Sequence, residues 1–298
     1  MTGGGRIGIA ALATIAAAIF AIASTVLAQT PGTVSVLYAG SLVTPMEGPI
    51  KSSLAAAGID FQGEGGGSKM LAHLIASGSK NPDAFISVDP SLVTGLGSRV
   101  AQAYTFAGTS LGIGWSKQSR YAALLAGVAD GKTPLLAALA TPGLTIGRTD
   151  PKLDPKGVYT VEAVAMLAGA DGARRILGGD ENAAQTFPEE DLLVRIETGQ
   201  ADVGFFYKAE AVARGLYFTP LPGAAAMSDR ITYTLAIMKN APHPAPAQAF
   251  KAFILTGAGR RILQKAGLVY RDTAAGQTSG RMRGEPEVTL ASTGGHPL

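Results

Sequence analysis

The sequence predicts an α/β protein of two lobes joined by two chain crossings. Three observations lead there. Apolar strand-like runs alternate with helical ones along most of the chain, the pattern of a mostly parallel sheet with helices on both faces. Two glycine-containing stretches offer places for the chain to pass from one lobe to the other and back: 105–115, read as a strand that passes between lobes, and 222–229. A length of 298 residues, 47% of them apolar, suits two modest lobes better than one.

The chain opens with Ile7 to Leu27, almost wholly apolar, behind a lone Arg6 and ahead of Val26-Leu27-Ala28-Gln29. This reads as a signal peptide over 1–28 with a small-residue cleavage site. An uncleaved anchor is the alternative, since about 20 apolar residues can span a bilayer. No cysteine is present, which excludes disulfides, thiolate metal sites and a lipid-modified cysteine at the leader junction. The mature chain is therefore expected free in an extracytoplasmic space, the periplasm. Losing Arg6 lowers the formal charge from +3 to +2 (3 − 1), and no cluster of Lys and Arg with interleaved aromatics suggests nucleic acid.

Behind the leader, a strand from Val34 to Tyr38 runs into the small-residue turn Ala39-Gly40-Ser41-Leu42, with a helix near Met46 to Ala57. The segment Gly63-Glu64-Gly65-Gly66-Gly67-Ser68-Lys69 repeats the arrangement as a glycine-rich loop whose serine opens a helix, Met70 to Ala76. A strand from Ala84 to Val88 follows Asn81-Pro82-Asp83, and Leu111 to Trp115 forms the next. Then come a helix from Ser119 to Val128, a strand from Leu144 to Ile146, and helices from Tyr159 to Leu167 and Glu189 to Glu197. Strand Val203 to Tyr207 leads into helix Lys208 to Arg214, and a β-like run from Ile231 to Met238 precedes helices at Ala247 to Leu255 and Gly259 to Ala266. From Arg271 the composition of Gly, Thr, Ser and Arg predicts a disordered tail. The expected organisation is a leader over 1–28, one lobe from 31–108 plus 231–270, a second from 109–230, and a tail over 271–298.

Ser41 and Ser68 both sit where helices begin. Helix starts leave N–H groups unpaired and carry the positive end of the macrodipole, so serines there can offer an anion amide and hydroxyl donors together. Either serine alone is equally an ordinary N-cap. In open α/β sheets ligands lie at the carboxyl ends of strands, so each lobe is expected to present helix N-termini to a cleft.

Other chemistry finds little support. Ala126 to Thr133 fits a relaxed phosphate-loop pattern, but it follows a helix and precedes Pro134 instead of joining a strand to a helix. His73, His243 and His296 show no ligand spacing, and no Gly-x-Ser-x-Gly elbow exists. The chain reads as no enzyme and no cofactor protein; a secreted serine hydrolase using Ser41 or Ser68 is the alternative from another class.

Tyr38-Ala-Gly-Ser-Leu42, Gly67-Ser68, Pro82-Asp-Ala-Phe-Ile-Ser87, Asp154-Pro-Lys-Gly-Val-Tyr159 and Gly199-Gln-Ala-Asp-Val-Gly-Phe-Phe-Tyr-Lys208 occur in this order. The set resembles the periplasmic molybdate/tungstate-binding proteins of ABC transporters, most closely the branch of the archaeal tungstate/molybdate binders, over about Val34 to Leu268. The resemblance implies a two-lobed periplasmic binding protein fold of type II, with two hinge crossings and the ligand in the interlobe cleft. It implies that Ser41 and Ser68 are the serine loops of the first lobe. Asp154 becomes a candidate carboxylate ligand with the Lys156 and Gly157 amides as donors, Glu189 a second carboxylate, and Tyr207 the site tyrosine. Val158, between glycine and tyrosine, follows the ordinary bacterial binders and leaves the register of this third loop open, while Glu190 is the neighbouring alternative to Glu189.

The resemblance further implies a monomer that captures molybdate or tungstate for a membrane permease. Asp154 before Pro155, and Glu189 and Glu190 in a first helical turn, are also ordinary helix-start acids, Tyr207 an ordinary packing residue, and Glu197 structural. A plain sulfate or phosphate site is the rival within the class; a ferric site would need clustered tyrosines, which the linear sequence does not assemble.

Mass spectrometry of exported protein is expected to find a mature N-terminus at Gln29. An intact Met1 in a membrane fraction would establish the anchor instead.

Overall fold

The computed structural model describes residues 32–179 and 182–271. The expected leader and nearly all of the expected tail lie outside them. The described chain forms β1 (Gly32–Ala39), β2 (Ile59–Gly66), β3 (Ala84–Ser87) and β4 (Val100–Gly108), then β5 (Leu111–Trp115), β6 (Ile146–Thr149), β7 (Thr186–Phe187), β8 (Val203–Tyr207) and β9 (Tyr217–Pro220), and finally β10 (Thr232–Met238) and β11 (Val269–Tyr270). Two sheets result. One has the order β11-β4-β10-β3-β1-β2, the other β7-β6-β8-β5-β9.

The first sheet is covered on both faces, and the alternation of side chains along each strand explains how. Val36, Tyr38 and Ile86 point to the face packed by Leu54, Phe250 and Ile254. Leu37 and Phe85 point to the opposite face, against Leu71 and Ile75 of the Ser68–Ala76 helix and Val93 of the Pro90–Gly95 helix. In the second sheet Phe205 and Tyr207 join the large core with Ile113 and Tyr159, while Phe206 packs under Leu192 and Ile196 of the Glu189–Glu197 helix. A period of two with apolar groups on both faces gives the mostly apolar sequences of β3, β5, β8 and β10, each buried throughout.

Three expectations are corrected. The sheets are mixed, not mostly parallel: β1 pairs β2 and β3 in parallel and β6 pairs β7 and β8 in parallel. In contrast, β10 runs antiparallel to β3 and β4, β11 to β4, and β5 to β8 and β9. The antiparallel pairings involve strands on either side of the passages between sheets, where no helical crossover returns the chain to its starting end.

Secondly, Gly63 to Gly66 is not a loop but the end of β2, with Gly65 opposite Tyr38 and Gly66 opposite Ala39. Glycine is required there because neighbouring side chains lie across the strand. A Cβ at Gly65 would sit 2.5 Å from Val43 Cγ2 and 2.9 Å from the Tyr38 ring. Thirdly, 105–115 is two strands, β4 and β5, in different sheets.

Smaller shifts have local causes. The helix expected from Tyr159 begins at Pro155, capped by Asp154, and continues to Leu177 through a non-helical residue at Gly169. The strand expected at Leu144 begins at Ile146, because Thr145 is held by its amide and hydroxyl on Asp202. The helix expected from Ser119 begins at Ala122, after Tyr121 and Ala122 bond back to Ser119. Of the expected tail, Arg271 is described, its amide on the Phe106 carbonyl and its guanidinium on the Ser228 carbonyl. No helix among the described residues is long and apolar enough to cross a membrane.

The two passages run side by side. Thr109, between β4 and β5, donates its amide to the Ile231 carbonyl, just before β10. The second passage contains a 3-10 turn at Gly223–Ala226 and a left-handed Met227 (φ 52°).

Two glycines in helices separate propensity from packing. A Cβ at Gly157 would meet the Pro151 nitrogen at 2.5 Å and the Thr149 carbonyl oxygen at 2.6 Å, both backbone, whereas one at Gly95 would meet nothing within 4 Å. Chemical denaturation is expected to show Gly95→Ala stabilising by about 0.5–1 kcal/mol, from propensity alone. Gly157→Ala should destabilise by about 1–3 kcal/mol, from overpacking. A stabilising Gly157→Ala would mean that the 149–151 turn yields freely.

Candidate functional site

The parallel strands end toward one another. In the first sheet the register Tyr38↔Gly65 and Tyr38↔Ile86 brings the carboxyl ends of β1, β2 and β3 side by side. Ser41 follows β1, Ser68 follows β2, and Val88 follows β3. In the second sheet β6, β7 and β8 end together, delivering Asp154, Glu189 and Tyr207. All five residues singled out from the sequence are buried, none more than 8% exposed.

The two sets meet across the lobes. A Cβ at Gly40 would lie 2.2 Å from Glu189 Oε2, and one at Gly67 would lie 2.6 Å from the Leu153 carbonyl oxygen and 3.5 Å from Asp154 Cβ. Met70 donates its amide to Leu153 O and Lys69 its ammonium to Pro151 O. The site is therefore shut between the lobes.

Neither serine serves as a side-chain N-cap. Ser41 lies in the 3-10 turn Gly40–Leu42, and its hydroxyl bonds the Tyr233 hydroxyl at 2.9 Å. Ser68 is the first residue of its helix, after Gly67 as N-cap, and its hydroxyl accepts the Val88 amide at 3.3 Å. Asp154 does cap its helix: Oδ1 accepts the Lys156 amide at 3.1 Å, with proline at the first helical position. Its Oδ2 and the Tyr207 hydroxyl are buried without a hydrogen-bond partner. Such atoms carry a desolvation cost that an added partner would relieve.

At the centre of the second lobe's half stands a group that the sequence reading did not single out. The Lys156 side chain is fully buried, with its ammonium 2.9 Å from Glu189 Oε1 and 2.7 Å from Glu210 Oε2. The resemblance implies only an amide donor at Lys156 and nothing at Glu210. Their only sequence signal is weak: Lys156 is the second residue of its helix, facing inward, and Glu210 lies in the first turn after Tyr207. Tyr233, which holds Ser41, lies between Thr232 and Thr234 in a β-like run, where nothing local marks it as a site residue.

Burial pushes the Glu189 carboxyl well above the ordinary carboxylate range, and the Lys156 charge pulls it back only in part. Burial raises Asp154 and Glu210 in the same way against the same charge. For Lys156 burial works against the charge, but Glu189, Glu210 and Asp154 together outweigh it and hold the ammonium above the usual lysine value. Burial also raises Tyr207, with Asp154, Tyr233 and Tyr159 adding to it. Tyr233 and Tyr159 thus both come within electrostatic reach of Tyr207, a proximity hidden in the linear sequence.

His243 is not a ligand candidate. Its ring bonds the buried Asp83 at 2.9 Å, and no group of three or more His, Cys, Asp or Glu among the described residues could hold a metal ion. The phosphate-loop look-alike lies at the carboxyl end of the Ala122–Ala129 helix, where Lys132 and Thr133 donate to Gly127 O. Carbonyl oxygens, not free amides, gather there.

Two lobes, two adjacent passages and a shut site at converging strand ends define a two-lobed periplasmic binding protein fold. The sequence model of the bacterial extracellular solute-binding proteins matches residues 34–269, and the chain belongs to that family. It is 30% identical over 203 residues to a Haloferax volcanii protein named "Putative ABC transporter molybdenum-binding protein"; the aligned region spans 66% of this chain and 62% of that protein. Among solved structures, the periplasmic molybdate-binding protein of Azotobacter vinelandii superposes with a TM-score of 0.64 at 18% identity, over 80% of this chain and 100% of that one. The sulfate-binding protein SubI of Mycobacterium tuberculosis superposes at 0.58 and 15% identity, over 82% and 88%. At these identities the likeness is one of fold.

The buried ion cluster makes a stability prediction. Lys156→Met leaves two buried glutamates without their cation and is expected to cost about 3–5 kcal/mol at pH 7. An acid whose folded pKa lies above its unfolded value of about 4.3 holds extra protons in the native state, so stability rises as pH falls through that interval. Denaturation of the variant at pH 5 should therefore recover part of the loss. A loss that is independent of pH would point to packing around the lysine stem as its cause.

Proposed function

We propose that this chain captures molybdate or tungstate outside the cytoplasm and presents it to an ABC importer permease, acting as a monomeric carrier and not as an enzyme. In this reading 1–28 is a cleaved leader, 31–108 plus 231–270 form one lobe, 109–230 the other, and 271–298 a tail. The observation that carries it is the pair of buried, unpartnered polar atoms, Asp154 Oδ2 and Tyr207 Oη, in a shut site between helix starts of both lobes. Names of the Haloferax relative and the Azotobacter neighbour support the ligand class.

Ser41, Ser68 and the helix-start amides would hold the oxyanion oxygens, with Tyr207 donating its hydroxyl. Carboxylates beside a dianion repel it unless their oxygens bond the metal centre itself. Asp154 and Glu189 would do so, expanding tetrahedral MoO4 or WO4 toward octahedral coordination. The sulfur of sulfate takes no such ligands, so the same acids would repel sulfate. Binding across the cleft would favour the closed lobes, the form a permease recognises. One observation favours a plain sulfate or phosphate site instead: Lys156 supplies a buried cation, and Glu189 already occupies one of its donors.

Thermal denaturation with molybdate, tungstate, sulfate, phosphate and ferric citrate tests the reading. Molybdate or tungstate at 100-fold over its dissociation constant should stabilise the native state by about 2.7 kcal/mol. A shift with sulfate and none with either metal oxyanion would establish the plain site.

Calorimetry on Asp154→Asn and Glu189→Gln then tests the carboxylates. As metal ligands, each change weakens tungstate binding; as helix-start acids, each leaves it unchanged or tightens it. Fold stability falls by about 1 kcal/mol from capping in Asp154→Asn and by up to about 3–5 kcal/mol in Glu189→Gln, which breaks the buried pair with Lys156. Tighter binding by either variant removes that residue from the coordination shell, and Glu190→Gln serves as the register control.

A further inference from the structure

Glu210 is the one acid of the buried cluster that the ligand reading leaves without a task. It lies in the first turn of the Lys208–Ala213 helix, 4% exposed, and accepts from Lys156 at 2.7 Å, closer than the 2.9 Å between the same ammonium and Glu189. Among the described ion pairs Lys156 meets only these two acids. Its ammonium also lies 5.5 Å from the centre of the Phe206 ring and 5.6 Å from that of Tyr207. Of its three N–H donors, two are committed to carboxylates on two different helices.

A bare ammonium beside helix N-termini would attract every dianion alike, because charge attraction does not distinguish sulfur from molybdenum or tungsten. If Glu189 were its only partner, the lysine would be shared between that carboxylate and the arriving anion. It would then serve sulfate as well as tungstate, and would draw Glu189 away from the metal centre. A second carboxylate opposes both, because two acids more than balance the ammonium's charge even though one N–H donor stays uncommitted.

We propose that Glu210 is the specificity-determining residue of this site: it holds Lys156 in place and balances its charge, so that the ammonium orients Glu189 and offers an arriving anion little net attraction. The inference rests on the molybdate/tungstate reading above. Glu210 itself touches no ligand in this scheme and acts through Lys156.

The test is the ratio of tungstate to sulfate affinity by calorimetry, on wild type, Glu210→Gln and the double variant Lys156→Gln with Glu210→Gln. Glutamine keeps an acceptor for the lysine but removes the charge, so Glu210→Gln should lower the ratio at least tenfold, chiefly by gaining sulfate. Removing the lysine charge as well should abolish that gain in sulfate affinity, an outcome that a merely structural role for Glu210 does not produce. Glu210→Asp, which keeps the charge but withdraws it by one methylene, serves if the glutamine variant fails to fold, and should shift the ratio in the same direction by less. A ratio within twofold of wild type in whichever variant folds, or equal gains for both anions, overturns the assignment. If wild type binds tungstate and the ratio does not move, Glu210 alone is misassigned; if wild type binds sulfate but no tungstate, the ligand reading fails and this inference with it.

Discussion

The ion cluster around Lys156 is the constraint on which the second lobe's half of the site depends. One ammonium, with no access to water, joins the start of the Pro155–Leu177 helix to the first turns of the Glu189–Glu197 and Lys208–Ala213 helices. These helices follow the parallel strands β6, β7 and β8, so the lysine fixes the spacing of three strand ends at once. A buried charge of this kind contributes little net stability when compared with well-packed apolar groups. It does fix geometry, because only one arrangement satisfies all its partners, and the carboxyl ends of the strands are where geometry has to be fixed.

The first lobe solves the matching problem without a buried ion cluster. Its side of the site is built from glycine, small turns and two serines whose hydroxyls are tied to Tyr233 and to the Val88 amide. Those bonds hold the Ser41 and Ser68 loops in register with β10 and β3, which lie at the middle of the first sheet. A surface of hydroxyl and amide donors, with the Lys69 ammonium bonded to Pro151 O beside it, thus faces one of paired charges. The shut site combines local dipoles from one lobe with paired full charges from the other.

Much of the frame was legible from local pattern. The strand over Val203 to Tyr207 and the helix over Glu189 to Glu197 have the bounds that periodicity and turn residues suggest, because each is bracketed by strong signals: Pro188 before the helix and Gly199 after it, and Gly199 before the strand with a helix start after it. Residues placed in the site came from helix-start chemistry and from resemblance, and the structure brings all five together. What escaped has a physical pattern. Gly63 to Gly66 carried the composition of a loop because the strand there must pass beneath Tyr38 and Val43, a requirement set by side chains distant in sequence. The partnership of Lys156 with Glu210 spans 54 residues and leaves no periodic trace. Strand direction was misjudged because the adjacent passages between sheets reverse it, and composition does not record direction.

The contact between Gly67 and Leu153 has a consequence for how such a chain can drift over generations. There the lobes meet main chain to main chain: the Leu153 carbonyl oxygen accepts the Met70 amide and stands 2.6 Å from where a Cβ on Gly67 would be. The Leu153 side chain takes no part in that bond and is half exposed. Its identity is therefore open to replacement by almost any residue without disturbing the fit, whereas the hydrogen atom that serves as the side chain of Gly67 is not. Two neighbours in one contact thus stand under opposite selection, and an inventory of side chains alone would rank their importance the wrong way round.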